Sequence, residues 1–129
     1  MKKHILSIDD EADIRELLQE ALSIKGYRVS TAAEPDQAKK IIQEDPPQLI
    51  IMDFQIEEGD GFVLIEDIKR LAPSIPVLLL TGAVFDRGVV RDTIEKKVAS
   101  YLDKTASLST IVAEIQRLLG DAPMSSEHS

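Results

Sequence analysis

Three aspartates, a threonine and a lysine carry the chemistry open to this chain, and each follows a short apolar run. Asp9 and Asp10 follow Ile5-Leu6-Ser7-Ile8, and Asp53 follows Leu49-Ile50-Ile51-Met52. Thr81 follows Val77-Leu78-Leu79-Leu80, and Lys104 lies just past Ala99-Ser100-Tyr101-Leu102. If the runs are parallel strands, all these groups meet on one edge of one sheet, where open α/β sheets place their ligands. Two carboxylates 4 Å apart repel by ~4 kcal/mol at an effective dielectric of 20, so such a cluster needs a counter-charge. Carboxylate oxygens with no Cys or His beside them select Mg²⁺, Mn²⁺ or Ca²⁺ over zinc or copper. Asp53 is the candidate nucleophile, because a carboxylate can attack phosphorus and form an aspartyl phosphate. Lys104 would add a positive donor and Thr81 a hydroxyl to phosphoryl oxygens. A plainer reading has Asp9 and Asp10 capping the helix that follows, but a cap needs no third carboxylate from another strand.

The elements that must position these groups alternate along the chain. Ile14, Leu17, Leu18, Ala21 and Leu22 recur at helical spacing, and Gly26 is a plausible stop. A short second strand is expected around Tyr27 to Ala32. Pro35 suits the first turn of a second helix with Ala38, Ile41 and Ile42 inward, ended by Asp45-Pro46-Pro47. The third strand, Leu49 to Asp53, is apolar at successive positions, as a strand covered on both faces should be. Gly59 and Gly61 precede a third helix with Phe62, Leu64, Ile65, Ile68 and Leu71 inward. Strand four is Val77 to Thr81, a weaker helix covers about Asp86 to Lys97, and strand five runs about Ala99 to Asp103. A last helix carries Leu108, Ile111, Val112, Ile115, Leu118 and Leu119, then Gly120. Five βα units with right-handed crossovers predict an α/β fold: a flavodoxin-like, doubly wound, five-stranded parallel sheet of order 2-1-3-4-5 with five helices in a three-layer sandwich. Its switch point between strands one and three would gather Asp9, Asp10 and Asp53.

Size and composition narrow the function. A chain of 129 residues suits one domain; residues 1–121 are assigned to it, and 122–129 to a flexible C-terminal tail. Cysteine is absent, which excludes disulfides and thiolate metal sites. No signal-peptide core or membrane-length apolar run is seen, so a soluble, cytoplasmic protein is expected. The formal net charge is −8 and aromatics are 4%. Both argue against nucleic acid or an anionic membrane as partners of this chain.

The ordered motifs are Ile8-Asp9-Asp10-Glu11, Ile51-Met52-Asp53-Phe54, Gly59-Asp60-Gly61-Phe62, Thr81-Gly82-Ala83 and Tyr101-Leu102-Asp103-Lys104. Together they resemble the receiver domain of two-component response regulators, over Lys3 to about Leu119, as a single-domain type. The resemblance implies that Asp53 accepts a phosphoryl group from a sensor histidine kinase or histidine phosphotransfer protein. It implies that Asp10, Asp53 and the backbone carbonyl of Gln55 ligate Mg²⁺ (Mn²⁺ as the substitute), with Asp9 acting largely through water. Lys104 and Thr81 would grip phosphoryl oxygens, and Thr81 with Tyr101 would form the switch that alters binding to a downstream protein effector. Gln55 and Ala83 would tune the hydrolytic rate. Such a protein is a phosphorelay component that catalyses only its own phosphorylation and dephosphorylation. The sequence carries no evident output domain, which fits a stand-alone regulator or a receiver cut from a longer protein.

Three positions depart from the family pattern. Glu57 stands where proline is common, Thr105 replaces the proline that usually follows the lysine, and Val98 replaces a common glycine. Val84, Phe85 and Val89 are read as core packing, with a partner surface as the alternative. Other users of this fold fit poorly. Asp9-Asp10-Glu11 would repel a flavin phosphate, a Gly-x-Gly-x-x-Gly after the first strand is lacking, and Asp53-Phe54-Gln55 lacks the second acid of a haloacid-dehalogenase-like phosphatase. The competing reading is a receiver-like interaction module that works without phosphorylation.

Overall fold

The computed structural model describes residues 2–53, 61–81, 98–103 and 105–121. Five strands, β1 (His4–Ile8), β2 (Arg28–Ala32), β3 (Leu49–Asp53), β4 (Val77–Thr81) and β5 (Ser100–Asp103), form one sheet of order β2-β1-β3-β4-β5. Every neighbouring pair is parallel. The helices among the described residues are α1 (Ala12–Ile24), α2 (Pro35–Glu44), α3 (Gly61–Leu71) and α4 (Leu108–Leu119). The helix expected over 86–97 lies outside the described residues, as do Val84, Phe85, Val89 and the tail 122–129.

Continuous apolarity in the central strands is explained by two separate cores. On one face Leu6, Ile8, Ile50, Met52 and Leu79 pack with Ala38 and Ile42 of α2 and Leu64, Ile65 and Ile68 of α3. On the other face Ile5, Leu49, Ile51, Leu78 and Leu80 pack with Leu18 and Leu22 of α1 and Ile111, Val112 and Ile115 of α4. Successive strand residues point to opposite faces, so both sets of alternate positions must be apolar. Among the described side chains, two expected inward residues are exposed, Leu17 at 48% and Leu71 at 39%. The buried stripe of α1 is the i, i+4 pair Leu18 and Leu22, which leaves Leu17 on its shoulder.

The helix ends follow from local chemistry. Gly26 at φ +98° and Gly120 at φ +79° stop α1 and α4 in the left-handed region that favours glycine. In each case the next residue's N–H returns to a carbonyl five residues back: Tyr27 to Leu22 at 3.1 Å, Asp121 to Gln116 at 2.8 Å. Those two residues then meet. Tyr27 donates its hydroxyl to Asp121 Oδ2 at 2.7 Å, and Lys3 Nζ donates to Asp121 Oδ1 at 2.7 Å and to the Leu119 carbonyl at 2.7 Å. This clasp fastens both helices of one layer to the upstream edge of the sheet. Pro35 opens α2, and Arg28 holds its C-cap, Asp45, by two bonds of 2.7 and 3.1 Å. Lys39 of α2 reaches Asp67 of α3 at 2.7 Å. Among the described residues, no helix is long and apolar enough to cross a membrane.

Burial raises the Tyr27 phenol above its ordinary range, with Asp121 adding to the effect. The hydrogen bond from Lys3, then that from Tyr27, lowers the Asp121 carboxyl. A lowered carboxyl contributes stability above the unfolded value of ~4, and that contribution is lost as the pH falls through the folded value. The loss in denaturant midpoint between about pH 7 and about pH 3 should therefore be smaller in Asp121→Asn than in the wild type; an equal loss contradicts the clasp. Core and shoulder should also separate on α1. Urea unfolding is expected to show a cost of ~2–5 kcal/mol for Leu18→Ala and ~0.5 kcal/mol or less for Leu17→Gln.

Candidate acidic site at the downstream edge of the sheet

Register brings the acids together. Ile8 of β1 pairs with Met52 of β3, so the residues that follow, Asp9 and Asp53, leave adjacent strands side by side. Both are buried, Asp9 at 2% and Asp53 at 1% exposure. Asp10 is half-buried and Glu11 exposed. One carboxylate oxygen from each of Asp9, Asp10, Glu11 and Asp53 lies within 4.8 Å of the others. The three aspartates expected from the sequence are thus together. Glu11 joins them; its signal in the sequence is a third consecutive acid at a strand end.

The turn carrying these acids is tightly built. The Asp9 N–H donates to the Ala32 carbonyl of β2 at 3.0 Å. Asp9 Oδ1 accepts the Glu11 N–H at 2.8 Å, an Asx-type turn that launches α1. Arg15 Nη1 donates to the Asp9 carbonyl at 2.6 Å. Glu11 itself is the N-cap and makes no side-chain capping bond. Asp9 thus shapes the helix start and also lies close to Asp53.

The other edge of the site rests on β4 and β5. The backbone of Thr81, which ends β4, pairs with Asp103 of β5. Lys104, Gln55, Glu57 and Ala83 lie outside the described residues, and the Thr81 side chain is likewise not described. The residues on either side of 104 are tied together by hydrogen bonds. Asp103 Oδ1 accepts the Thr105 N–H at 2.8 Å and its hydroxyl at 2.7 Å, while the Asp103 carbonyl accepts the Ala106 N–H at 2.9 Å. The Thr105 hydroxyl, then its N–H, holds the Asp103 carboxyl below its ordinary range. A proline at 105 could make neither bond. Val98 packs half-buried against the same core face as Tyr101. Tyr101 is itself half-buried there, opposite Leu79 in the register.

The donor set suits one hard divalent ion. It is all oxygen, partly buried and open on its Asp10–Glu11 side. Mg²⁺ binds oxygen at ~2.1 Å and keeps several waters, taking only one or two carboxylates directly. A 4.8 Å cluster accommodates that arrangement with the remaining acids reached through water.

The model of the response regulator receiver domain matches residues 5–116. The chain belongs to the response regulator receiver domain family. It is 35% identical over 120 residues to a probable transcriptional regulator, ycf27, of Cyanophora paradoxa, covering 92% of this chain and 48% of that protein. Response regulator MprA of Mycobacterium leprae is 29% identical over 122 residues, covering 89% of this chain and 50% of MprA. This receiver domain thus spans about half the length of the curated relatives it matches. The solved receiver domain of NtrX from Brucella abortus superposes with a TM-score of 0.79 at 28% identity, covering 92% of this chain and 99% of that one. A CheY-like receiver domain protein from Methanospirillum hungatei shares the fold with a TM-score of 0.85 at 22% identity, covering 93% and 95%. Receiver domains are signalling modules of two-component systems, and this chain is one of them.

Electrostatic crowding at this edge has a measurable consequence. At 4.8 Å a pair of unit charges repels by ~1 kcal/mol in bulk water and ~3.5 kcal/mol at an effective dielectric of 20. Asp10→Asn should raise the unfolding midpoint in chelator-containing buffer, by a free energy between those bounds, and should reduce the further rise on adding Mg²⁺. A lower midpoint in chelator would show that the carboxylates do not repel in the folded protein.

Proposed function

We propose that this receiver domain takes a phosphoryl group onto Asp53 in a Mg²⁺-dependent reaction and changes its binding to a protein effector as a result. The observation that carries the reading is the burial of Asp53, 1% exposed, beside Asp9 and Asp10 at the downstream edge of the sheet. A buried carboxylate pressed against two others is poorly explained by stability alone, since desolvation and like charge both oppose it.

Asp10, Asp53 and the Gln55 carbonyl would hold Mg²⁺, with Asp9 acting through water; Mn²⁺ can take the same place. Bound there, the ion supplies positive charge against the negative charge of the transferring phosphoryl oxygens. The protein's own residues do the rest. An Asp53 oxygen forms the new bond to phosphorus as the bond from phosphorus to the donor imidazole nitrogen breaks, and that nitrogen recovers its lone pair. Lys104 and Thr81 hold phosphoryl oxygens from the β4–β5 side. Thr81 and Tyr101 form the switch: movement of position 81 toward the phosphate vacates space that the half-buried Tyr101 takes up, which reweights conformers already present. Gln55 and Ala83 set access of the hydrolytic water, so dephosphorylation is also the domain's own reaction. The donor is a sensor histidine kinase or a histidine phosphotransfer protein of the cytoplasm. Residues 1–121 form the receiver. With a net charge of −8, the receiver itself is not a nucleic-acid binder.

Incubation with acetyl phosphate and Mg²⁺, followed by intact-mass measurement, tests this. A gain of one phosphoryl group is expected in the wild type, abolished in Asp53→Asn and by EDTA. No gain at saturating acetyl phosphate would favour an interaction module that works without phosphorylation.

A further inference from the structure

We infer that Arg15 is a positioning residue for the acidic site: its guanidinium clamps the peptide between Asp9 and Asp10 and thereby fixes where the Asp10 carboxylate is presented. This inference rests on the Mg²⁺-dependent reading of the site.

Arg15 sits in an unexpected place. It belongs to the first turn of α1, where the helix dipole disfavours a cation and an acid is the usual choice. Its backbone N–H begins the helix ladder on the Glu11 carbonyl at 3.2 Å. Its side chain folds back over that turn and donates Nη1 to the Asp9 carbonyl at 2.6 Å. Arg15 is half-buried there. A cation placed against its helix dipole and partly desolvated must gain from what it touches. It touches the backbone of the acidic turn.

The bond matters because the other groups of Asp9 are already committed. Its N–H is held by Ala32 and its Oδ1 by the Glu11 N–H. The carbonyl is the remaining freedom of that residue's backbone, and its direction sets the plane of the Asp9–Asp10 peptide. That plane governs ψ of Asp9 and φ of Asp10, the two dihedrals that aim the Asp10 side chain. Unlike its neighbour, Asp10 is only half-buried, so packing constrains it less. The bond is a single one, made by Nη1 at the far end of a long, always-charged side chain.

Two explanations of Arg15 give opposite signs. As a mere counter-charge to the acids, it would compete with a divalent ion, and its removal would tighten Mg²⁺ binding. As a clamp, its removal loosens Asp10 and weakens Mg²⁺ binding despite the lost positive charge. Groups that orient metal ligands typically change affinity by about 10–100-fold when replaced, and about tenfold weaker binding is expected for Arg15→Met. Arg15→Lys should weaken it too, because the charge is kept but the side chain ends one atom short of the nitrogen that reaches the Asp9 carbonyl.

The experiment is a Mg²⁺ titration by calorimetry of the wild type, Arg15→Met and Arg15→Lys, each with its far-UV circular dichroism and chelator-state melting temperature recorded. The clamp predicts native spectra, weaker Mg²⁺ binding in both variants, and acetyl-phosphate labelling of Asp53 that is restored by raising Mg²⁺. Equal or tighter binding in Arg15→Met, while the wild type binds Mg²⁺ normally, overturns the clamp and leaves the site reading intact. Wild-type affinity in Arg15→Lys shows that charge alone suffices and also overturns it. A wild type that neither binds Mg²⁺ nor is labelled overturns the site reading, and the clamp with it.

Discussion

Mutual repulsion among carboxylates at one end of the sheet is the constraint around which this domain is arranged. Asp9, Asp10, Glu11 and Asp53 bring oxygens within 4.8 Å of one another, and two of the four are almost wholly buried. Desolvation and like charge both oppose that placement. The scaffold must hold it, and it does so with apolar layers on both faces of the strands that carry the acids. Ile50 and Met52 lock β3 to α2 and α3, while Leu49 and Ile51 lock it to α1 and α4. Because β3 is gripped from both sides, Asp53 cannot relieve the crowding by withdrawing into solvent.

The opposite end of the sheet has the converse chemistry. There the clasp of Lys3, Tyr27 and Asp121 and the pair Arg28–Asp45 join opposite charges across elements distant in sequence. The clasp secures the last turns of α1 and α4, the layer that backs the acidic turn. One edge of the molecule is therefore fastened by satisfied ion pairs. The other gathers the acids Asp9, Asp10, Glu11 and Asp53.

Much of this was legible in the sequence, for identifiable reasons. β3 and β4 are short apolar runs closed by a polar residue, so their bounds could be read directly and agree with Leu49–Asp53 and Val77–Thr81. Glycine at 26 and 120 and proline at 35 announced helix boundaries because their backbone preferences act locally. What escaped was whatever depends on distant partners. Leu17 and Leu71 look inward by spacing, yet each sits on the shoulder of a buried stripe whose width is set by the packed neighbours. His4 opens a strand in the sequence, but only the sheet shows it buried, with Nε2 2.7 Å from Ser30 Oγ. Thr105 reads as the loss of a proline until its two bonds to Asp103 are seen. Arg15 carries no motif at all, because its significance is a bond to a carbonyl six residues earlier.

In the function proposed above, the crowded acids let one of them, Asp53, capture a phosphoryl group with a divalent ion's help. Borohydride reduction tests it most directly, since it converts an aspartyl phosphate to homoserine and leaves a free aspartate untouched. After acetyl-phosphate treatment, peptide mass spectrometry should find homoserine at position 53, present with Mg²⁺ and absent with chelator. Homoserine at another aspartate, or at position 53 to the same extent without a divalent ion, would contradict the account.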